Sequence, residues 1–233
     1  MNENAEPKNF FALDLDRCLL DLNETTRLYN ELVIERYPSI GTQLDRVSRA
    51  AVSKGDSFDI YQYLATKLDD RAIEDLNLSY IKAVENKNLL NDGASQLMEQ
   101  LALSEHEYGI LTFGSLRWQE FKLRASGLDR VPHLITGQKE KGRLIASWRQ
   151  PSGEFIVPDQ LLAQFGQSGI FSSVILVDDK PDSFTGLPAG ARGYLYKNPR
   201  YKTLPSQQGG ISGAVTIIDD LRQVVDNEQL SDN

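Results

Sequence analysis

The chain has 233 residues, 40% of them apolar, with 33 acidic against 25 basic side chains and a net charge of −8. That length holds one large domain or a core with a smaller second one, and the apolar share suffices for a packed interior. The acidic balance argues against nucleic acid or an anionic membrane as the main partner, yet leaves room for a small phosphorylated ligand held through a local cation. A single cysteine, Cys18, excludes an intramolecular disulfide and multi-cysteine zinc sites. His106 and His133 lie far apart, which argues against a histidine-rich metal site. Residues 1–9 carry no signal-peptide run, and no later stretch approaches membrane-spanning length, so the expectation is a cytoplasmic protein without membrane partners.

In chain order, Phe10 to Leu13 is a continuous apolar run that reads as a strand buried on both faces, and it ends on Asp14 and Asp16. A helix follows, with Asn23 as its expected N-cap, carrying Leu28 and Leu32 until Pro38 stops it. Helical patterns then cover 42–53, 57–68 and 69–86, the last aligning Ile73, Leu76, Tyr80 and Val84. Nothing in 23–86 alternates like a strand, so 22–87 is expected to form a helical subdomain inserted behind the first strand. The core is then 1–21 and 88–233. From Leu89 the pattern alternates: helix 93–102, strand 108–112, helix 116–126, an apolar segment 131–136, helix 159–166, strand 174–177, strands at 193–196 and 214–218, and a closing helix 219–226. Such alternation predicts an α/β fold with a doubly wound, mostly parallel sheet. Within it, 142–158 reads as a hairpin or long loop around Pro151-Ser152-Gly153, and 198–213 reads as a loop rich in Gly, Pro, Ser and Gln.

Three strand ends thus present polar groups on one sheet edge: Asp14 and Asp16, then Thr112, then Asp178 and Asp179. Clustered carboxylates with oxygen-only neighbours suit a hard cation, with Mg²⁺ the natural occupant. The Thr112 hydroxyl and the N–H groups of Phe113, Gly114 and Ser115, at a helix entry, suit a phosphate oxygen, and a lysine nearby would balance the charge.

In this ordered set the sequence resembles the haloacid dehalogenase superfamily, in its phosphatase branch with a helical cap after the first strand. The first motif is matched by Asp14-Leu15-Asp16-Arg17-Cys18, the second by Ile110-Leu111-Thr112 and the fourth by Val174 to Asp179. The third motif is a lysine. Lys141, followed by Gly142, is preferred over Lys139. Two departures stand out. Arg17 replaces a small residue, where it narrows the pocket or contacts an anionic substrate, and Cys18 stands at the usual Thr/Val position, with packing as its expected role.

The resemblance implies a Mg²⁺-dependent hydrolysis of a small phosphate monoester through an aspartyl-phosphate. In that scheme Asp14 is the nucleophile, Asp16 the acid/base, and Lys141 the cation screening the phosphate. Thr112, Phe113 and Gly114 bind the substrate. The metal is held by Asp14, Asp16 through its backbone carbonyl, and the Asp178/Asp179 pair. A small phosphorylated metabolite is the implied partner. A phosphomutase shares every motif, and an inactive binding or regulatory protein keeps the same fold; both stand as alternatives.

Overall fold

Phe10, Phe11, Ala12 and Leu13 are all fully buried, and this double-sided burial makes their strand the centre of the molecule's main sheet. The computed structural model describes residues 8–53, 58–162, 169–201 and 214–231. Its strands are β1 (Asn9–Leu13), β2 (Glu107–Phe113), β3 (His133–Thr136), β4 (Phe155–Ile156), β5 (Ile170–Phe171), β6 (Ser173–Asp178), β7 (Ala191–Tyr196) and β8 (Val215–Ile218). Its helices are α1 (Leu22–Arg36), α2 (Pro38–Ser53), α3 (Ile60–Ala65), α4 (Asp70–Val84), α5 (Ala94–Leu103), α6 (Leu116–Ala125), α7 (Lys141–Trp148) and α8 (Gln223–Ser231). No helix among the described residues is long and apolar enough to cross a membrane.

Six strands form a parallel sheet in the order β3-β2-β1-β6-β7-β8. From β1 the chain first winds outward through β2 and β3, then returns to the other side of β1 and winds outward again. The reversal opens a crevice at the carboxyl ends of β1 and β6, where ligands bind in sheets of this kind. Register brings the strand ends together there, because Leu13 lies opposite both Ile110 and Val177. Phe10, Ala12, Leu111, Val174 and Leu176 pack one face of the sheet against Ile145 and Trp148 of α7 and against Phe155, Phe171 and Phe184. β4 and β5 make a separate antiparallel pair.

The chain divides into two compact units: residues up to Leu20 with Leu90–Phe113 and the chain from Val131, and Asp21–Leu89 with Gly114–Arg130. The second unit contains α1 to α4, and it also takes α6, which the sequence had put with the core. Three of its helices start on an aspartate: Asp21, Asp59 and Asp69 each accept a hydrogen bond from a first-turn N–H at 2.8–3.0 Å. Tyr29, Tyr61, Tyr80, Trp118 and Phe121 fill its centre with ring centroids 5.1–6.5 Å apart.

Several local expectations are corrected. Asp21, not Asn23, caps α1, since its carboxylate reaches the Glu24 N–H at 3.0 Å. Pro38 does end that helix, but it also opens α2 at the first helical position, where a missing N–H costs nothing. The stretch 141–148 is helix, not the first arm of a hairpin; of that reading a tight turn survives, closed by Gln150 N–H to Glu154 O (2.7 Å) and by an antiparallel bridge between Arg149 and Phe155. The helix expected over 159–166 is a 3₁₀ turn at Asp159–Leu161, with 163–168 outside the described residues. The closing helix starts at Gln223 and not at 219. Of the expected loop 198–213, residues 202–213 also lie outside the described residues.

Candidate active site

Asp14 is the first residue beyond β1, and its N–H extends the β1–β6 ladder by one bond, to Val177 O at 2.9 Å. Asp178 ends β6 on the same edge and is fully buried, and Asp14 is 4% exposed. Into this edge comes Lys141, the first residue of α7. Gly142 makes that approach possible: a Cβ there would sit 2.7 Å from Thr185 O and 2.8 Å from Leu187 N. Only glycine lets the start of α7 lie against the backbone that follows β6.

Lys141, buried to 2% exposure, bonds through Nζ to Asp14 and to Asp178 Oδ2, the latter at 2.6 Å. The second Asp178 oxygen accepts the Lys180 N–H at 2.8 Å. Both oxygens of Asp178 are therefore engaged in holding Lys141 and the loop. One oxygen each of Asp14, Asp178 and Asp179 lie within 4.8 Å of one another. Asp14 Oδ2, Asp179 Oδ1 and Thr112 Oγ1 are buried with no hydrogen-bond partner.

Electrostatics follow from this crowding. Burial raises the Asp14 carboxyl to about 6, with Lys141 opposing the rise and Asp178 adding to it. Burial, then the neighbouring Asp178 and Asp14, push Asp179 up to about 8. Burial works against the Lys141 charge, but the two carboxylates outweigh it and hold the ammonium above the ordinary lysine range. Lys141 by hydrogen bonds and Lys180 through its charge thus act on three carboxylates, two of which keep an oxygen unsatisfied. That oxygen-only donor set fits a hard divalent cation.

Of the residues singled out from sequence, Asp14, Lys141, Asp178 and Asp179 come together. The Asp16 carboxylate is half-buried and stands outside the three-carboxylate set, although its charge acts on Asp14. Lys139 places its ammonium 5.6 Å from the Phe113 ring centroid, not on the carboxylates. Thr112 sits one residue before the end of β2, fully buried, and Phe113 closes that strand. Gly114 belongs to the other compact unit. Cys18 is buried with its thiol 3.9 Å from Val177 O, and burial pushes that thiol well up, which suits packing and not nucleophilic attack.

Sequence reasoning missed three residues. Lys180 contributes the N–H that holds Asp178. Asn91 donates through Nδ2 to Cys18 O (2.9 Å) and Leu20 O (3.1 Å) and through its backbone N–H to Leu19 O (2.8 Å). Asn198 donates to Arg17 O at 2.9 Å. The two asparagines thereby hold the loop that follows Asp14. Lys180 could have been noticed from its place beside Asp179; the asparagines act on backbone carbonyls and carry no pattern.

No protein-family model and no curated protein matches the sequence. Solved structures do match in fold. A haloacid dehalogenase-like hydrolase of Burkholderia xenovorans is similar with a TM-score of 0.63 and 15% identity, over 97% of this chain and 98% of that one. The HAD-hydrolase YfnB of Bacillus subtilis, in a magnesium-bound form, is similar with a TM-score of 0.53 and 18% identity, over 95% and 99%. A dehalogenase with an intermediate complex is similar with a TM-score of 0.50 and 15% identity, over 96% and 98%. The chain has the haloacid dehalogenase-like fold, with its parallel sheet as the α/β core.

Proposed function

We propose that the protein is a Mg²⁺-dependent phosphatase that hydrolyses a small phosphate monoester, with Asp14 as the nucleophile. The observation that carries this reading is the lysine-bridged carboxylate set, in which Lys141 engages Asp14 and Asp178 while Asp14 Oδ2 and Asp179 Oδ1 stay buried and unpartnered. Asp14 Oδ2, Asp179 Oδ1 and the backbone carbonyl of Asp16 would hold the metal, with Asp178 given over to orienting Lys141. Bound Mg²⁺ supplies positive charge between the carboxylates and the phosphoryl oxygens, easing the approach of two anions. YfnB, similar in fold, is a magnesium-bound protein, which agrees with this assignment.

The chain's own groups then divide the work. Asp14 attacks phosphorus in line, forming the acyl-phosphate bond as the ester P–O bond breaks. Asp16 gives its proton to the leaving oxygen. Asp16, now ionised, takes a proton from the water that attacks phosphorus; the bond to Asp14 breaks, and inorganic phosphate leaves. Lys141, the Thr112 hydroxyl and the Phe113 N–H hold the non-transferred oxygens as charge spreads over them. A halide needs no proton to leave, so dehalogenation would give Asp16 no leaving group to protonate. The test is phosphate release from p-nitrophenyl phosphate and a panel of sugar and alkyl phosphates, with Mg²⁺ and with chelator. Metal-dependent release is expected. Isomerised sugar phosphate without free phosphate would replace this reading with the mutase, and no turnover across the panel would remove it.

A further inference from the structure

Arg17 stands directly after Asp16 with a left-handed backbone, φ 66°, a conformation that costs a non-glycine residue steric energy unless its surroundings hold it. Here they do. The Arg17 N–H donates to Leu20 O at 3.0 Å, and its carbonyl accepts from Asn198 Nδ2 at 2.9 Å. Asn198 is itself buried. Its Oδ1 accepts the Arg200 N–H at 3.0 Å, and its backbone carbonyl accepts the Tyr201 N–H at 3.1 Å. One asparagine therefore fixes both the arginine and the turn that carries Tyr201. The Tyr201 ring centroid lies 5.2 Å from the guanidinium carbon and covers the fork as a cation–π platform.

The head group so positioned has no anion. Among the described residues Arg17 forms no ion pair, and its Nε is buried without an acceptor. A desolvated guanidinium nitrogen left unpaired is costly, and the side chain has the length to reach solvent instead. Arg17 follows Asp16 directly in the chain, and its charge is felt at Asp179. A rigid guanidinium with one edge unfilled is complementary to a planar or tetrahedral anion taken in two hydrogen bonds. The substrate phosphate already has Lys141 and Thr112 in the reading above, so the anion for Arg17 is a different group.

We propose that Arg17, stacked on Tyr201 and pinned by Asn198, binds a second anionic group on the leaving portion of the substrate, so that the preferred substrates are phosphate esters carrying a further carboxylate or phosphate. This rests on the phosphatase reading and names its substrate class. It makes Arg17 a specificity-determining residue.

The experiment compares matched esters: n-alkyl phosphates of two to six carbons against the same chains ending in a carboxylate or in a second phosphate. Hydrolysis is followed by phosphate release with Mg²⁺, and binding by calorimetry. For wild type, kcat/KM should favour the best anion-ended chain over its alkyl match by about ten- to a hundredfold, the range of one or two charge-assisted hydrogen bonds. The carboxylate and phosphate arms identify which anion is taken. Arg17→Gln should remove most of that preference, and Tyr201→Leu, which leaves the fork but takes its platform, should remove a smaller part. Equal rates for ended and unended chains in wild type would overturn the inference while leaving the phosphatase intact. So would an Arg17→Gln variant whose preference is unchanged or whose rates fall alike on both series. Failure of the wild type to bind or hydrolyse any of them would take down both readings.

Discussion

In the helical unit arginines pair with carboxylates on the outside, while the rings lie on the inside. Lys122 is also buried there, with its ammonium 5.5 Å from the Trp118 ring centroid. Arg27 pairs with Glu24 and Glu31, Arg117 with Asp70 and Arg124 with Glu74, all between exposed side chains. Tyr29, fully buried, sits among four other aromatic side chains and donates to Asn77 Oδ1 at 3.0 Å. The sheet unit has an exposed pair too, Arg200 with Asp92, but at one edge it also buries a charged cluster. Lys141, Asp14 and Asp178 are each at or below 4% exposure, at the carboxyl edge of strands whose buried central residues are apolar. Apolar and aromatic packing stabilises by area and needs no ligand. A buried cluster of lysines and carboxylates is held together only if its geometry and its remaining partners are right. The comparison marks the carboxyl edge of the sheet unit as the place where a bound cation would change stability most.

Four substitutions or titrations sharpen that contrast. The largest effect belongs to Lys141→Ala, which leaves two buried carboxylates without their shared cation. Unfolding by urea should show a loss of about 3–5 kcal/mol, and phosphate release should fall by roughly a hundredfold or more. A loss under about 1 kcal/mol would mean the cluster is not the electrostatic keystone described here.

The second effect is on pH. Asp179 and Asp14 have folded values of about 8 and about 6, above the ordinary 3.8 of an aspartate. Between the ordinary and the raised value the folded chain binds more protons than the unfolded one. The stability of the metal-free protein should therefore fall as pH rises through that window, by at most about 1.4 kcal/mol per pH unit for each group. Mg²⁺ competes with those protons, so its stabilisation should be larger at roughly pH 8 than at roughly pH 5. Thermal melts in chelator and in Mg²⁺ at the two pH values measure this; a metal shift independent of pH would contradict it.

In the helical unit, Tyr29→Phe keeps the ring and removes the bond to Asn77, so a loss of about 1–2 kcal/mol is expected, independent of Mg²⁺. A metal-dependent loss would break the separation between the units. The smallest effect belongs to Arg27→Ala, which should leave the unfolding midpoint unchanged, because its pairs with Glu24 and Glu31 are solvent-exposed and screened.

Much of this architecture was legible because it rests on periodicity and order. Phe10 to Leu13 and Val174 to Val177 could only be doubly covered strands, and their acidic ends then had to share an edge. The helical run in 22–87 showed the same clarity through spacing alone. What escaped depends on tertiary contacts. Leu144 to Trp148 is a short apolar run beside a Pro-Ser-Gly turn, equally compatible with strand and helix; packing of Ile145 and Trp148 against the sheet decides for the helix. Asp21 and Asn23 are both good caps, and the choice lies in which carboxylate or amide reaches a free N–H. The distinction between Asp178 and Asp179 also required coordinates, since one has both oxygens engaged and the other keeps one unpartnered. Asn91 and Asn198 work through main-chain carbonyls, which no side-chain motif records.

The central claim is that Asp14 is the group that attacks phosphorus. Asp14→Asn keeps the shape of the side chain and a hydrogen-bond acceptor for Lys141 while removing the nucleophilic carboxylate. Initial rates of phosphate release from p-nitrophenyl phosphate in saturating Mg²⁺, on wild type and on a variant shown by its melt to be folded, test it directly. Release by the wild type and none by Asp14→Asn is the expected result; turnover by the variant within about tenfold of wild type, a difference of only about 1.4 kcal/mol in barrier, would contradict the account.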